Sequence, residues 1–111
     1  MPVREIAPRA LAAELARAAE ERPILLDVRS ADELRLASIQ GAVHVPMNEL
    51  PGRLDELRED WAGRPVVVLC HSGVRSWHAA AFLDSVGIPA ASLAGGIDRW
   101  SLEVDPRVPR Y

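Results

Sequence analysis

Val66, Val67, Val68 and Leu69 stand in succession, the clearest apolar run in the chain. A run without alternation suits a central parallel strand covered on both faces. Residues 24–28, after the break at Pro23, read as a second buried strand. Shorter strands are expected at residues 3–6, at 43–45 between Gly41 and Pro46, and at 91–93. Between the strands the apolar spacing turns helical. Residues 8–21 set Ala10, Leu11, Leu15 and Ala18 on one face, with Pro8 in the first turn. Ser30-Ala31-Asp32-Glu33 has the S-x-x-E form of a capping box, so a helix should start there and run to about Ala37. Residues 50–60 align Leu50, Leu54 and Leu57, with Pro51 in the first turn and Gly63 at the exit. A further helix is expected from Val74 to Ser85, and a short one over 98–102 after the Gly95-Gly96 turn. Residues 103–111, with Pro106 and Pro109, read as an extended tail packed on the surface.

Strands alternate with helices, so the fold class is α/β with a mostly parallel sheet. The 111 residues suit one domain, 1–111, whose tail is 103–111. In such sheets ligands bind beyond the carboxyl ends of the strands. The loop after Leu69 lies at such an end, and it begins with the only cysteine, Cys70.

Composition narrows the chemistry. A lone cysteine excludes an internal disulfide and a resolving partner within the chain. His44, His71 and His78 are dispersed, so no zinc-ligand spacing exists, and neither a metal nor a cofactor is expected. The net charge is −3, without the basic surplus of a nucleic-acid footprint. All 13 basic residues are arginine, which removes Schiff-base and P-loop lysine chemistry. No stretch reaches the roughly 20 apolar residues of a membrane span. The N-terminus lacks a signal-peptide core, so a soluble, cytoplasmic protein is expected, and a small domain with no apolar stripe left over is expected to be a monomer.

Cys70-His71-Ser72-Gly73-Val74-Arg75 joins the central strand to a helix N-terminus. Backbone N–H groups of such a loop and of the first helical turn can converge on an anion. Gly73 permits a backbone angle that a side chain would obstruct, and Arg75 adds positive charge for anion binding. The thiolate is the nucleophilic form of cysteine, and helix N-termini and neighbouring cations favour it. Cys70 is therefore the candidate nucleophile. His71 is read as shaping the rim, with a role as base left open. Ser76 is read as a helix cap, His78 as structural, and Trp61, Trp77 and Trp100 as core or helix packing.

Four stretches together resemble the rhodanese-like, or sulfurtransferase, family: "LLDVRSADEL", "SIQGAVHVP", "CHSGVRS" and "LAGGIDRW". The resemblance spans nearly the whole chain. It implies a parallel five-stranded sheet with helices on both faces. It implies that Cys70 accepts sulfane sulfur from a small donor such as thiosulfate, as a persulfide held by the backbone amides of His71, Ser72, Gly73, Val74 and Arg75. A small acceptor such as cyanide or a thiol, or a protein acceptor in a sulfur relay, then removes it. Asp27, Arg29 and Glu33 are expected to form an ion-pair network tying the first βα turn. Ser38 stands where the family usually has histidine, Ala37 where it often has glycine, and Leu69 where an aromatic is common; these departures are expected to alter packing rather than activity. The C-x4-R spacing is one residue shorter than the C-x5-R cradle of related phosphatases, which favours sulfur over phosphoryl transfer. The missing second cysteine weakens arsenate reduction.

Overall fold

The computed structural model describes residues 3–111. Five parallel strands, β1 (Arg4–Ile6), β2 (Ile24–Asp27), β3 (Val43–His44), β4 (Val66–Leu69) and β5 (Ala90–Leu93), form one sheet in the order β1-β5-β4-β2-β3. The apolar run β4 occupies the centre and is buried at every position. Its alternate residues feed two cores. Val66, Val68 and Cys70 join Leu26, Val28, Leu57, Trp61, Ala80 and Leu83 on one side. Val67 and Leu69 join Leu11, Leu25, Leu93, Ile97 and Trp100 on the other. The first side is covered by α3 (Leu54–Trp61) and α4 (Val74–Ser85), the second by α1 (Pro8–Leu15) and α5 (Gly96–Glu103). The pleat thus puts the Cys70 side chain on the α3/α4 side. No helix among the described residues is long and apolar enough to cross a membrane.

Ser30 caps α2 (Ala31–Leu36) as its sequence implied: its side chain accepts from the Glu33 amide at 3.2 Å, and Glu33 reaches back to the Ser30 amide. The helix expected over 8–21 is shorter. It ends at Leu15, and residues 19–21 form a separate 3₁₀ turn. Of its expected apolar face only Leu11 is fully buried, whereas Ala10 and Ala18 are exposed. The carbonyls of this segment are taken by distant side chains: Arg64 Nη2 donates to Ala19 and Arg22, and Arg22 Nε to Arg17. The helix expected over 50–60 begins as a 3₁₀ turn at Pro51–Arg53 before α3. Trp61 and Trp100 are buried, but Trp77 is 40% exposed. The buried stripe of α4 is Ser76, Ala79, Ala80 and Leu83, and position 77 falls beside it. His78 is exposed and meets the Trp77 ring edge-on.

Ala37 and Leu69 both lie in the α1/α5 core. Ala37 has extended backbone, which needs no glycine, and its carbonyl accepts from Arg29 Nη2 at 2.7 Å. Ser38 is exposed.

At the end of β2 and just past it, Asp27 and Arg29 are wholly buried. Arg29 Nε and Nη2 face the Asp27 carboxylate at 3.0 and 2.7 Å, and the Arg29 amide donates to the same carboxylate at 3.0 Å. The remaining guanidinium donors reach the carbonyls of Glu33 and Ala37 and the Tyr111 hydroxyl. Such a pair is costly to break from one side, because the partner is left charged and buried. Arg29→Ala is expected to lower unfolding free energy by about 3–5 kcal/mol. Urea denaturation measures this; a loss under 1 kcal/mol, on the order of a surface pair, would show the network to be dispensable.

Candidate active site

The site forms at the carboxyl end of β4, where the chain turns through residues 70–73 into α4. Gly73 sits in the left-handed region, with φ of 107°, at the N-cap of α4. A side chain there would also crowd the Gly95 amide nitrogen at 3.3 Å. This turn brings amide hydrogens back onto the cysteine. Gly73 N donates to Cys70 Sγ at 3.1 Å and Ser76 N at 3.3 Å. The sulfur is therefore buried, with Cys70 only 1% exposed, yet it is met by two backbone donors and not by hydrocarbon alone.

Ser76 does not cap the helix as expected. Gly73 caps α4 without any side-chain bond, and Ser76 sits in the first turn with its hydroxyl turned inward. Its Oγ lies 3.3 Å from Cys70 Sγ and 2.7 Å from Ser92 Oγ, and all three residues are buried. The two hydroxyls form a chain beneath the sulfur that can point either way. As a thiol, Cys70 donates to Ser76; as a thiolate, it accepts. Ser92 comes from β5 and is invisible to local sequence reading; only the β4–β5 pairing places it there.

The loop is clamped from outside by α5. Ile97 N donates to the Cys70 carbonyl at 2.9 Å and Asp98 N to the His71 carbonyl at 3.1 Å. Free donors of a helix N-terminus thus hold the loop carbonyls. This contact requires Gly96, whose φ is 64° and whose Cβ would lie 2.5 Å from the Cys70 carbonyl oxygen and nearer still to that of His71.

The structure assembles the predicted loop but redistributes its roles. The amides of His71, Ser72, Val74 and Arg75 do not hydrogen-bond the sulfur itself, whereas that of Ser76, not foreseen, does. The Arg75 side chain, expected to attract an anion, is turned to Glu33. Its Nη1 and Nη2 meet the two carboxylate oxygens at 2.6 and 2.8 Å. Its charge is offset there, and it fastens the loop to α2. Glu33 accordingly leaves the Asp27–Arg29 pair, touching Arg29 only through its backbone carbonyl. Hydrogen bonds from Arg75 hold the Glu33 carboxyl well below the usual carboxylate range, against the effect of burial and with help from Tyr111 and Ser30. A lowered carboxyl contributes stability above its unfolded value, about pH 4.3, and loses it as pH falls toward the lower folded value. His71 stacks on Tyr111, with ring centroids 4.2 Å apart. The tail reaches this loop; it begins after Glu103, which belongs to α5, and it turns at residues 106–108 where an extended course from residue 103 was expected. His44 lies aside, its Nε2 2.7 Å from the Arg29 carbonyl. Val74 and Trp77 stand exposed on the side of α4 next to the loop. A concavity of ≈ 810 Å³ lies elsewhere, between α1, residues 34–40 and the tail; shape alone does not mark the chemistry.

A family profile described as the rhodanese-like domain matches residues 11–103. The chain belongs to the rhodanese-like family. Among rhodanese-like relatives, YtwF of Bacillus subtilis (strain 168) is 32% identical over 96% of this chain and 99% of its own length. A sulfurtransferase of Allochromatium vinosum is 37% identical over 73% of this chain and 74% of its own. The adenylyltransferase and sulfurtransferase UBA4 of Yarrowia lipolytica is 33% identical over 88% of this chain, which spans only 24% of UBA4. A thiosulfate sulfurtransferase from Pseudomonas aeruginosa superposes with a TM-score of 0.81 at 30% identity, covering 97% of this chain and 20% of that one. A rhodanese-related protein from Thermoplasma volcanium gives 0.80 at 30% identity, covering 97% and 99%. The fold is thus the rhodanese-like one, with an all-parallel sheet where a mostly parallel one was expected.

Proposed function

We propose that this rhodanese-like domain moves sulfane sulfur from a small anionic donor of the thiosulfate type to a thiophilic acceptor, through a persulfide on Cys70. The observation that carries the reading is the pair of amides, from Gly73 and Ser76, aimed at the one cysteine sulfur at the mouth of a parallel sheet. The Cys70 thiolate attacks the outer sulfur of thiosulfate. The donor S–S bond breaks, and sulfite leaves with the electron pair. A Cys70–S–S⁻ group remains, its outer sulfur about 2 Å beyond Sγ. That atom enters the space framed by the amides of His71, Ser72, Val74 and Arg75. Cyanide carbon or a thiolate then attacks the outer sulfur, and the Cys70 thiolate departs.

The short C-x4-R loop supports sulfur transfer over phosphoryl transfer, as does the engagement of Arg75 with Glu33, since a phosphatase needs that guanidinium for the phosphate. A second reading replaces the small acceptor with a protein thiol. It is favoured by Val74, 66% exposed beside the loop, and by the likeness to one part of UBA4.

The test is mass measurement after incubation with thiosulfate. The expected result is a gain of one sulfur on the peptide containing Cys70, removed by cyanide with release of thiocyanate. An unchanged mass, or hydrolysis of a phosphate ester in its place, overturns the reading. Discharge to protein thiols but not to cyanide or small thiols would select the second acceptor.

A further inference from the structure

Residues 104–111 are fastened at defined points. Val108 is buried, and Ser101 Oγ donates to its carbonyl at 2.6 Å. Arg110 pairs with Asp98 through Nε at 2.8 Å and Nη2 at 3.2 Å. Pro106 and Pro109 restrict the backbone between these anchors. Asp98 works at both ends of this arrangement, since its own amide holds the His71 carbonyl.

Tyr111 thereby arrives over the catalytic loop in a set orientation. Its ring lies nearly parallel to that of His71, at 16° between planes. Its hydroxyl accepts from Arg29 Nη1 at 2.9 Å and donates to Glu33 Oε2 at 2.7 Å. Burial pushes the phenol above its ordinary value, so it keeps its proton for Glu33 at neutral pH. Glu33 in turn holds Arg75. One side chain therefore touches the start of the loop directly, at His71, and its end through one carboxylate, at Arg75. Both residues belong to the backbone loop that carries the Gly73 amide and leads to that of Ser76, the two donors to Sγ. A shift of either peptide plane redirects those donors, and donors are effective only when aimed.

We propose that Tyr111 is a positioning residue for the sulfur-carrying loop, holding His71 and, through Glu33, Arg75, so that the loop amides converge above Cys70. Its consequence for turnover rests on the sulfur-transfer reading; its consequence for the surroundings of Cys70 does not.

The test compares wild type with Tyr111→Phe and Tyr111→Ala in three measurements: kcat and KM for thiosulfate, the rate of Cys70 alkylation by iodoacetamide with no sulfur donor present, and the thermal midpoint. Tyr111→Ala is expected to lower kcat/KM by about tenfold, as misplacement of donors would. It should slow alkylation as well, because a loop released at His71 and Arg75 no longer holds the Gly73 and Ser76 amides on the sulfur. Tyr111→Phe keeps the stack on His71 and loses the bridge to Glu33, and is expected to fall between the two. A lower midpoint with unchanged kinetics and alkylation makes Tyr111 a structural anchor only and overturns the proposal. Faster alkylation and faster turnover make it a cover over the loop, which overturns it too. Should wild type take up no sulfur, the functional reading fails, and the alkylation rates alone still decide the role of Tyr111.

Discussion

A Cys70→Ser protein is expected to take up no sulfane sulfur and form no thiocyanate, while unfolding close to wild type. The position is 1% exposed, and serine nearly matches the shape of cysteine. Its hydroxyl can accept the same amides of Gly73 and Ser76 that meet the sulfur, so the loop keeps its donors satisfied. The stability change should be about 1 kcal/mol or less, as for substitutions that neither open a cavity nor strand a buried polar group. The chemistry, by contrast, has no substitute: a hydroxyl is far less nucleophilic toward sulfur, and the chain has no second thiol. Thiocyanate release and thermal denaturation, run on the same preparation, separate the two effects. Residual turnover at the wild-type rate would take Cys70 out of the mechanism.

Gly96→Ala should be nearly as damaging to sulfur uptake, although residue 96 makes no contact with a donor. Its Cβ would fall 2.5 Å from the Cys70 carbonyl oxygen. The obstacle is backbone on both sides, so no rotamer relieves it. The left-handed φ of 64° adds about 1–2 kcal/mol of strain, and overpacking about 1–3 kcal/mol more. The chain can escape only by parting α5 from the loop, which releases the Ile97 and Asp98 amides from the carbonyls of Cys70 and His71. A displacement near 1 Å lowers sulfur uptake by about a hundredfold. Gly41→Ala is the control: φ there is also positive, at 88°, but nothing lies within 4 Å of the added carbon. Equal sulfur uptake by the two variants would sink the claim that α5 sets the loop.

Local physics was readable in the chain, and distant pairing was not. Val66 to Leu69 announced a central strand because four apolar residues without alternation need cover on both faces. Ser30 and Glu33 announced a helix start because a capping box is complete within four residues. Cys70 and Gly73 were legible for the same reason: the loop that joins a strand to a helix carries its own geometry. Ser76 was misread as a cap because its real partners, Cys70 Sγ and Ser92 Oγ, meet only once β5 pairs with β4. Glu33 and Arg75 are 42 positions apart, and no periodicity links them. Tyr111 could not be drawn out of an extended tail, since its role depends on anchors at Ser101 and Asp98 that only the folded chain supplies. Trp77 failed for another reason. A large apolar residue on a helix is presumed inward, but the stripe through Ser76, Ala79, Ala80 and Leu83 leaves it outside.

Because Val66, Val68 and Cys70 share one side of the sheet and Val67 and Leu69 the other, the direction of the thiol is a matter of odd and even. One residue inserted between Pro65 and Cys70 would swing the sulfur toward α1 and α5, away from every amide that now greets it. Lengthening after Cys70 leaves that orientation untouched. Engineers who wish to enlarge the cradle for a bulkier anion therefore have freedom downstream of the nucleophile and none upstream.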